Sequence, residues 1–275
     1  MIPIHPAGPA DSGGEAGDGP QFVSMYEKQP EIYPRAVSGW FATWRWTFVW
    51  LTQIVFYGLA WLQWGGRQAV LFDLEAQRFY ILGLVLYPQD LIFLAALLVL
   101  SALALFFFTA VAGRLWCGYT CPQTVYTEIF MWVERKIEGD RVARMRLDQA
   151  PWSAAKLARK SAKQAAWLAI GLFTGFSFVG YFTPIRELGA DVLAFDVSAW
   201  SAFWILFYGA ATYGNAGYLR EQMCKYMCPY ARFQSALIDK DSLIITYDQA
   251  RGDPRGSRSR KASPAAQGLG DCVDC

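Results

Sequence analysis

Four stretches of this chain carry no charged side chain: residues 46–66, 91–113, 164–185 and 197–219. Each is longer than the roughly 18–20 residues a helix needs to cross a ~30 Å hydrocarbon core. Helices on the surface of a water-soluble protein keep a polar stripe, which these stretches lack. Charged residues make up only 17 % of the chain, against about 25 % in soluble domains. Trp46, Trp50, Trp61 and Trp64 cluster near the ends of the first stretch, at the depth aromatic side chains favour in a bilayer. The expectation is an all-α membrane protein with four transmembrane helices arranged as two hairpins and ending in a cytoplasmic tail.

Lysine and arginine set the orientation. The segments before the first stretch and after the second and fourth hold three, ten and nine of them, whereas the segments 67–90 and 186–196 hold two and one. Basic residues accumulate on the cytoplasmic side, so the N-terminus, the central connection and the tail are expected there. Topology accounts for the basic residues without any need for nucleic acid as a partner. Residues 1–20 are rich in Gly, Pro and Asp with no apolar core, and read as a disordered leader rather than a cleavable signal.

Between the expected spans, residues 68–87 have β character and suggest a small hairpin or a surface segment. After Pro122, the apolar residues Ile129, Phe130, Val133 and Ile137 recur at helical spacing, which predicts an amphipathic helix with proline in its first turn. A short strand is predicted at 243–247 and a flexible linker over 251–270. The expected parts are a leader (1–20), a four-span membrane domain (21–240) and a cytoplasmic segment with linker (241–270).

The chemistry is concentrated in cysteine. Of six cysteines, four lie in two copies of C-x-Y-x-C-P: Cys117–Pro122 and Cys224–Pro229. Each copy follows an expected span, and both fall at the cytoplasmic face. Thiols there stay reduced, so paired cysteines point to metal or redox work rather than disulfides. The residue before proline is pushed out of the helical region. Cys121 and Cys228 should therefore sit at breaks, where two loops can turn four sulfurs towards one ion. Zinc, an iron–sulfur centre and Cu(I) all suit such a donor set. A helix starting at each proline is expected to lower thiol pKa. The single histidine, His5, lies in the leader, which excludes histidine-ligated haem, copper or zinc within the spans. No carboxylate lies inside a span, so a carboxylate-lined proton path is not expected. Gln53, Ser101, Thr109 and Asn215 are read as helix-packing residues. Cys272 and Cys275 form a C-x-x-C pair at the end of the sequence.

The stretches YEKQPEIYPRAVSG, GLVLYPQD, AGRLWCGYTCPQTVYTEIFMWVERKIEGDR, FTPIREL, MCKYMCPYARFQSALIDKDSLIITYD and RGDPRG resemble the CcoG family, also called RdxA or FixG. These are accessory proteins for assembly of the bacterial cbb-type cytochrome c oxidase. The resemblance covers most of residues 25–256. It implies a polytopic inner-membrane ferredoxin whose cytoplasmic domain holds two 4Fe–4S clusters. GDCVDC (270–275) then looks like the start of that domain, truncated here, with Cys272 and Cys275 as the first ligands of an incomplete set. It further implies a candidate Cu(II) reductase, with copper as substrate or ligand and with Cys117, Cys121, Cys224 and Cys228 binding copper or relaying electrons. The partners implied are the bilayer and oxidase assembly factors; a homodimer is left open, and so is the electron donor. Two other readings stand beside this one. One is a non-enzymatic copper-binding assembly factor. The other is a quinol-oxidising electron-transfer subunit, similar to the membrane subunits of periplasmic nitrate reductase systems.

Overall fold

The computed structural model describes residues 33–34, 37–239, 241–242, 247–254, 268 and 270. The leader, the predicted strand at 243–247 apart from Tyr247, and Cys272 and Cys275 lie outside these residues.

Helices stand at all four expected positions, with shifted ends. The first, α1, spans Trp40–Trp61, starting before the uncharged stretch because one arginine does not interrupt an otherwise aromatic helix. It ends at the extended Leu62. Gly65 and Gly66 follow, both at positive φ (60° and 82°), the conformation of a two-residue hairpin turn that glycine adopts freely. They join strands β1 (Gln63–Trp64) and β2 (Arg67–Gln68). An antiparallel meander comes next, β3 (Val70–Asp73), β4 (Arg78–Ile81) and β5 (Leu84–Leu86). Its register pairs Phe72 with Phe79 and Asp73 with Arg78. The β character of 68–87 is thus realised, and the all-α class is corrected to a mostly helical fold carrying a three-stranded sheet.

The second helix, α2 (Leu91–Ala112), is apolar on every face, and Thr109 is its buried residue. It is the one described helix long and apolar enough to cross a membrane unaided. After a short α3 (Leu115–Tyr119), α4 (Pro122–Glu138) and α5 (Arg141–Gln149) form the central connection. Next, α6 runs over Ala154–Val179, capped by the Ser153 hydroxyl, which accepts from Lys156 N at 3.2 Å. It begins ten positions before the uncharged stretch 164–185 and stops at Gly180, where the sequence led one to expect a continuous span. Residues expected as an external loop form α7 (Ile185–Ala194), held by buried Gln68, which donates to Gly180 O (2.7 Å) and accepts from Ile185 N (3.0 Å). The last long helix, α8, spans Ala199–Gly214. Joined to α7 and to the chain as far as Met227, it would make a second candidate span, but a 98° bend breaks that pair.

Small residues bring α6 and α8 close. A Cβ at Gly171 would lie 2.8 Å from Gly209 O, and one at Gly175 would strike the carbonyl oxygen of Ile205 and come within 2.9 Å of Gly209 N. Small residues four positions apart let the two helix backbones approach this closely, the geometry of a small-xxx-small contact. One turn before Gly171, on the same side of α6, Trp167 stacks on Phe130 of α4 (5.3 Å between centroids) and donates Nε1 to Phe130 O at 3.1 Å. Phe130, Val133, Trp167 and Ala216 form the core there.

Beside that core lies a buried charge cluster. Glu134 is bound by Arg144 (2.6 Å), Arg220 (3.2 Å) and Lys163 (3.4 Å). Glu138 takes Lys163 (2.9 Å) and Lys160 (3.1 Å), and Lys160 reaches Asp148 at 2.7 Å. Lys163 and Arg220 also sit over the Trp167 ring, at 5.0 and 5.5 Å. Such a cluster is tolerated only because each ion has partners, and it fixes α4, α5 and α6 against the start of the second cysteine segment.

Candidate metal and redox site

Both motifs sit where a helix breaks. In the first, α2 ends at Gly113 in a positive-φ conformation (57°), and the chain turns through α3, which carries Cys117. Cys121 is extended (φ −57°, ψ 128°) directly before Pro122, the first residue of α4, as the residue before proline must be. Thr124 Oγ1 donates to Cys117 O at 2.5 Å and Cys121 N to Trp116 O at 3.1 Å, closing the loop. In the second, α8 loosens into a π-helical turn (Asn215–Leu219), a single helical turn α9 (Arg220–Gln222) and a second π-helical turn (Met223–Met227) that carries Cys224. Cys228 is extended (φ −79°, ψ 110°) before Pro229, which opens α10 (Pro229–Leu237). Widened π turns recur at functional sites because they turn side chains away from the regular ladder.

Two glutamines, unremarked in the sequence, tie the motifs together reciprocally. Gln123, just after the first motif, donates Nε2 to the carbonyls of Asn215 (2.9 Å) and Arg220 (3.2 Å), ahead of the second. Gln234, on α10 after the second motif and 3 % exposed, donates to Gly113 O (3.4 Å) and to Cys117 Sγ (3.6 Å). Tyr230 on α10 also bonds the Thr109 hydroxyl of α2.

All four motif cysteines are free thiols, three half-buried and Cys224 exposed. They share one electrostatic neighbourhood. Burial pushes the Cys117 thiol up, Cys121 raises it further, and Cys224 and Cys228 add to the shift while Gln234 opposes it. Cys224 is likewise raised, first by desolvation and then by Cys121, Cys228 and Glu221. The expected lowering by helix dipoles is therefore reversed at these two positions, because neither thiol caps a helix and apolar surroundings disfavour the thiolate. It follows that alkylation of Cys117 by iodoacetamide should be slow at pH 7, with a midpoint above the ordinary thiol value of about 8.5. Mass-spectrometric labelling across pH 6–11 checks this, and a midpoint below that value would contradict it.

The donor set suits a soft metal. Four sulfurs lie at two helix breaks, and an amide N–H is directed at one of them, the kind of outer contact that orients a metal-bound thiolate. No three Cys, His, Asp or Glu side chains among the described residues stand close enough together to hold an ion. Binding would therefore draw the two loops inward and release the thiol protons.

Residues 219–275 match a 4Fe–4S dicluster domain, and residues 94–139 match a 4Fe–4S binding domain. The two matched segments contain both C-x-Y-x-C-P motifs. These matches support 4Fe–4S clusters as cofactors. Among curated proteins the chain is similar to the nitrogen fixation protein FixG of Rhizobium meliloti, with 43 % identity over 256 residues, covering 91 % of this chain and 49 % of FixG. It is 40 % identical to RdxA of Cereibacter sphaeroides, covering 91 % of this chain and 53 % of RdxA. To RdxB of the same organism it is 39 % identical, covering 93 % of this chain and 54 % of RdxB. The chain thus spans about half the length of the curated relatives it matches. No solved structure matches it. The chain is thus similar to FixG, RdxA and RdxB over most of its own length, carries two segments that match 4Fe–4S models, and has in α2 a helix apolar enough to associate with a membrane.

Proposed function

We propose that this chain is a four-span inner-membrane protein of the CcoG (FixG/RdxA) family that assists assembly of a cbb-type cytochrome c oxidase by reducing Cu(II) to Cu(I). In this reading the membrane domain covers 21–240, with the N-terminus and both motifs at the cytoplasmic face. A cytoplasmic segment and linker (241–270) lead to the first ligands of a 4Fe–4S domain, Cys272 and Cys275. The observation that carries the reading is the coupling of the two motifs: Cys117 lies in the field of Cys121, Cys224 and Cys228, and Gln234 spans from one motif's helix to the other's sulfur.

The substrate ion would be held by Cys117, Cys121, Cys224 and Cys228. Iron–sulfur clusters, when bound, supply one-electron transfer. Each thiol that takes copper gives up its proton, so binding strengthens with rising pH while the thiols remain largely protonated. Thiolate sulfur favours Cu(I) over Cu(II), so the donor set itself biases the one-electron couple towards reduction. The Gln234 N–H directed at Cys117 Sγ offsets part of the sulfur's charge and fixes its orientation.

Replacing all four cysteines by serine is the test. Loss of a single outer contact typically weakens a metal site about 10–100-fold, so removal of the ligands should weaken Cu(I) binding at least about 100-fold and abolish thiol-dependent Cu(II) reduction. Competition with a chromogenic Cu(I) chelator measures the first. Single-turnover reduction by anaerobic protein whose iron–sulfur clusters have been reduced beforehand, one cluster electron consumed per Cu(II), measures the second. Undiminished reduction in the serine variant would sink the proposal. Tight binding by the wild type without turnover would favour the copper-binding assembly factor instead.

A further inference from the structure

A cavity of about 310 Å³ lies beside the charge cluster, between the start of α1 and the outer side of α4. Phe41 and Trp46 stand with Val37 and Met131 in its apolar lining, and Arg45, Arg135, Arg144 and Glu128 are its charged residues. Its size is at the lower end of ligand-binding cavities, about 300–1,000 Å³.

The arginines are under-used. Arg144 is 3 % exposed, and its Nη1 is engaged by Glu134 at 2.6 Å, yet its Nε and Nη2 are buried with no hydrogen-bond partner. Those two nitrogens form one edge of the guanidinium, the fork that meets two oxygens of one anion side by side. Arg45 Nε is buried and unpartnered as well. Glu128 only loosely answers the other two arginines, at 3.9 Å to Arg45 and 3.6 Å to Arg135. Both separations exceed the about 2.7–2.9 Å of a charge-assisted hydrogen bond. Glu134, behind Arg144, is already shared with Lys163 and Arg220. A buried fork with no acceptor is costly, and the wall around it is rich in cations.

We propose that this cavity binds a phosphate-bearing anion on Arg45 and Arg135, with the Arg144 guanidinium, which lies over the Tyr33 ring at 5.5 Å and whose Nε and Nη2 are covered, turning its free edge to the anion on binding. The shared chemistry is a phosphate oxyanion, and two sources carry it: the headgroup of an anionic phospholipid, or free phosphate. Phe41 and Trp46 suit the first, since they give the cavity an apolar side on which the glycerol and upper acyl chain of a lipid can rest. The proposal does not depend on what the cysteines bind.

The experiment is native mass spectrometry of the detergent-purified full chain. Phosphatidylglycerol is titrated against phosphatidylcholine, with a parallel thermal-shift titration of inorganic phosphate. Arg144→Lys keeps a cation for Glu134 but removes the fork. Arg45→Gln leaves the buried cluster untouched. The wild type should retain phosphatidylglycerol at least about ten-fold more tightly than phosphatidylcholine, and each variant should lose most of that preference. Saturable stabilisation by inorganic phosphate, lost in both variants, would equally uphold the site and assign it to the free ion. Equal retention of the two lipids with no phosphate effect, or unaltered preference in both variants, overturns it and leaves the cavity to water.

Discussion

Glu134→Ala is expected to destabilise the detergent-solubilised protein by about 3–5 kcal/mol, the cost of breaking a buried ion pair by removing one partner. Glu134 is 8 % exposed and receives Arg144, Lys163 and Arg220. Without it Lys163 retains Glu138 at 2.9 Å, while Arg144, itself 3 % exposed, loses its carboxylate. The effect should extend to the candidate site, because Arg220 belongs to the turn just before Cys224, and Gln123 reads that turn's carbonyls. Chemical unfolding monitored by tryptophan fluorescence measures the loss. The exposed Glu75→Ala, in the turn between β3 and β4, is the control and should stay within about 0.5 kcal/mol of wild type. A Glu134→Ala protein as stable as that control would show that the cluster is not the clamp described above.

Gly175→Val should be nearly as damaging. The added Cβ meets backbone, the carbonyl of Ile205 and the amide of Gly209, rather than a side chain that could rotate away. Overpacking of this kind costs about 1–3 kcal/mol even where neighbours can adjust, and here relief requires α8 to move off α6. Since α8 leads directly into the π turns and Cys224, the second motif would move with it, and thermal stability and metal affinity should fall together. Gly58→Ala on α1 offers the contrast, since a Cβ there meets nothing within 4 Å. That change should be neutral or stabilising by up to about 1 kcal/mol. A destabilised Gly175→Val protein with unchanged metal affinity would separate the packing claim from the site claim.

Much of this architecture can be read from the sequence, because it rests on local rules. Long uncharged runs became helices, although among the described residues only α2 combines length and apolarity on its own. The β character of 68–87 became strands, and each proline left the cysteine before it extended. What escaped depends on contacts between distant residues. Lysines and arginines of the central connection read simply as cytoplasmic markers, yet Arg144 and Lys163 are buried with Glu134 and Glu138. The Glu134–Arg220 pair is separated by 86 positions, and Gln234 meets Cys117 across 117. The π turns around Cys224 have no sequence signature. The break at Gly180 was hidden because the uncharged run continues through it to α7. Gly171 and Gly175 were a legible signal: their spacing is that of a close helix–helix contact. The raised thiols of Cys117 and Cys224 could not be anticipated from spacing alone, because burial rather than the helix dipole decides them.

The central claim is that this chain handles metal and electrons through paired cysteines. The most direct measurement is the iron, sulfide and copper content of anaerobically purified protein, together with the EPR spectrum of its reduced state. Wild type and the variant with Cys117, Cys121, Cys224 and Cys228 changed to serine should be compared side by side. The account predicts bound metal in the wild type, with a reduced iron–sulfur signal wherever a complete cluster assembles, and loss of bound copper in the variant. Metal-free wild type after anaerobic reconstitution, or identical metal content in the two proteins, would contradict it.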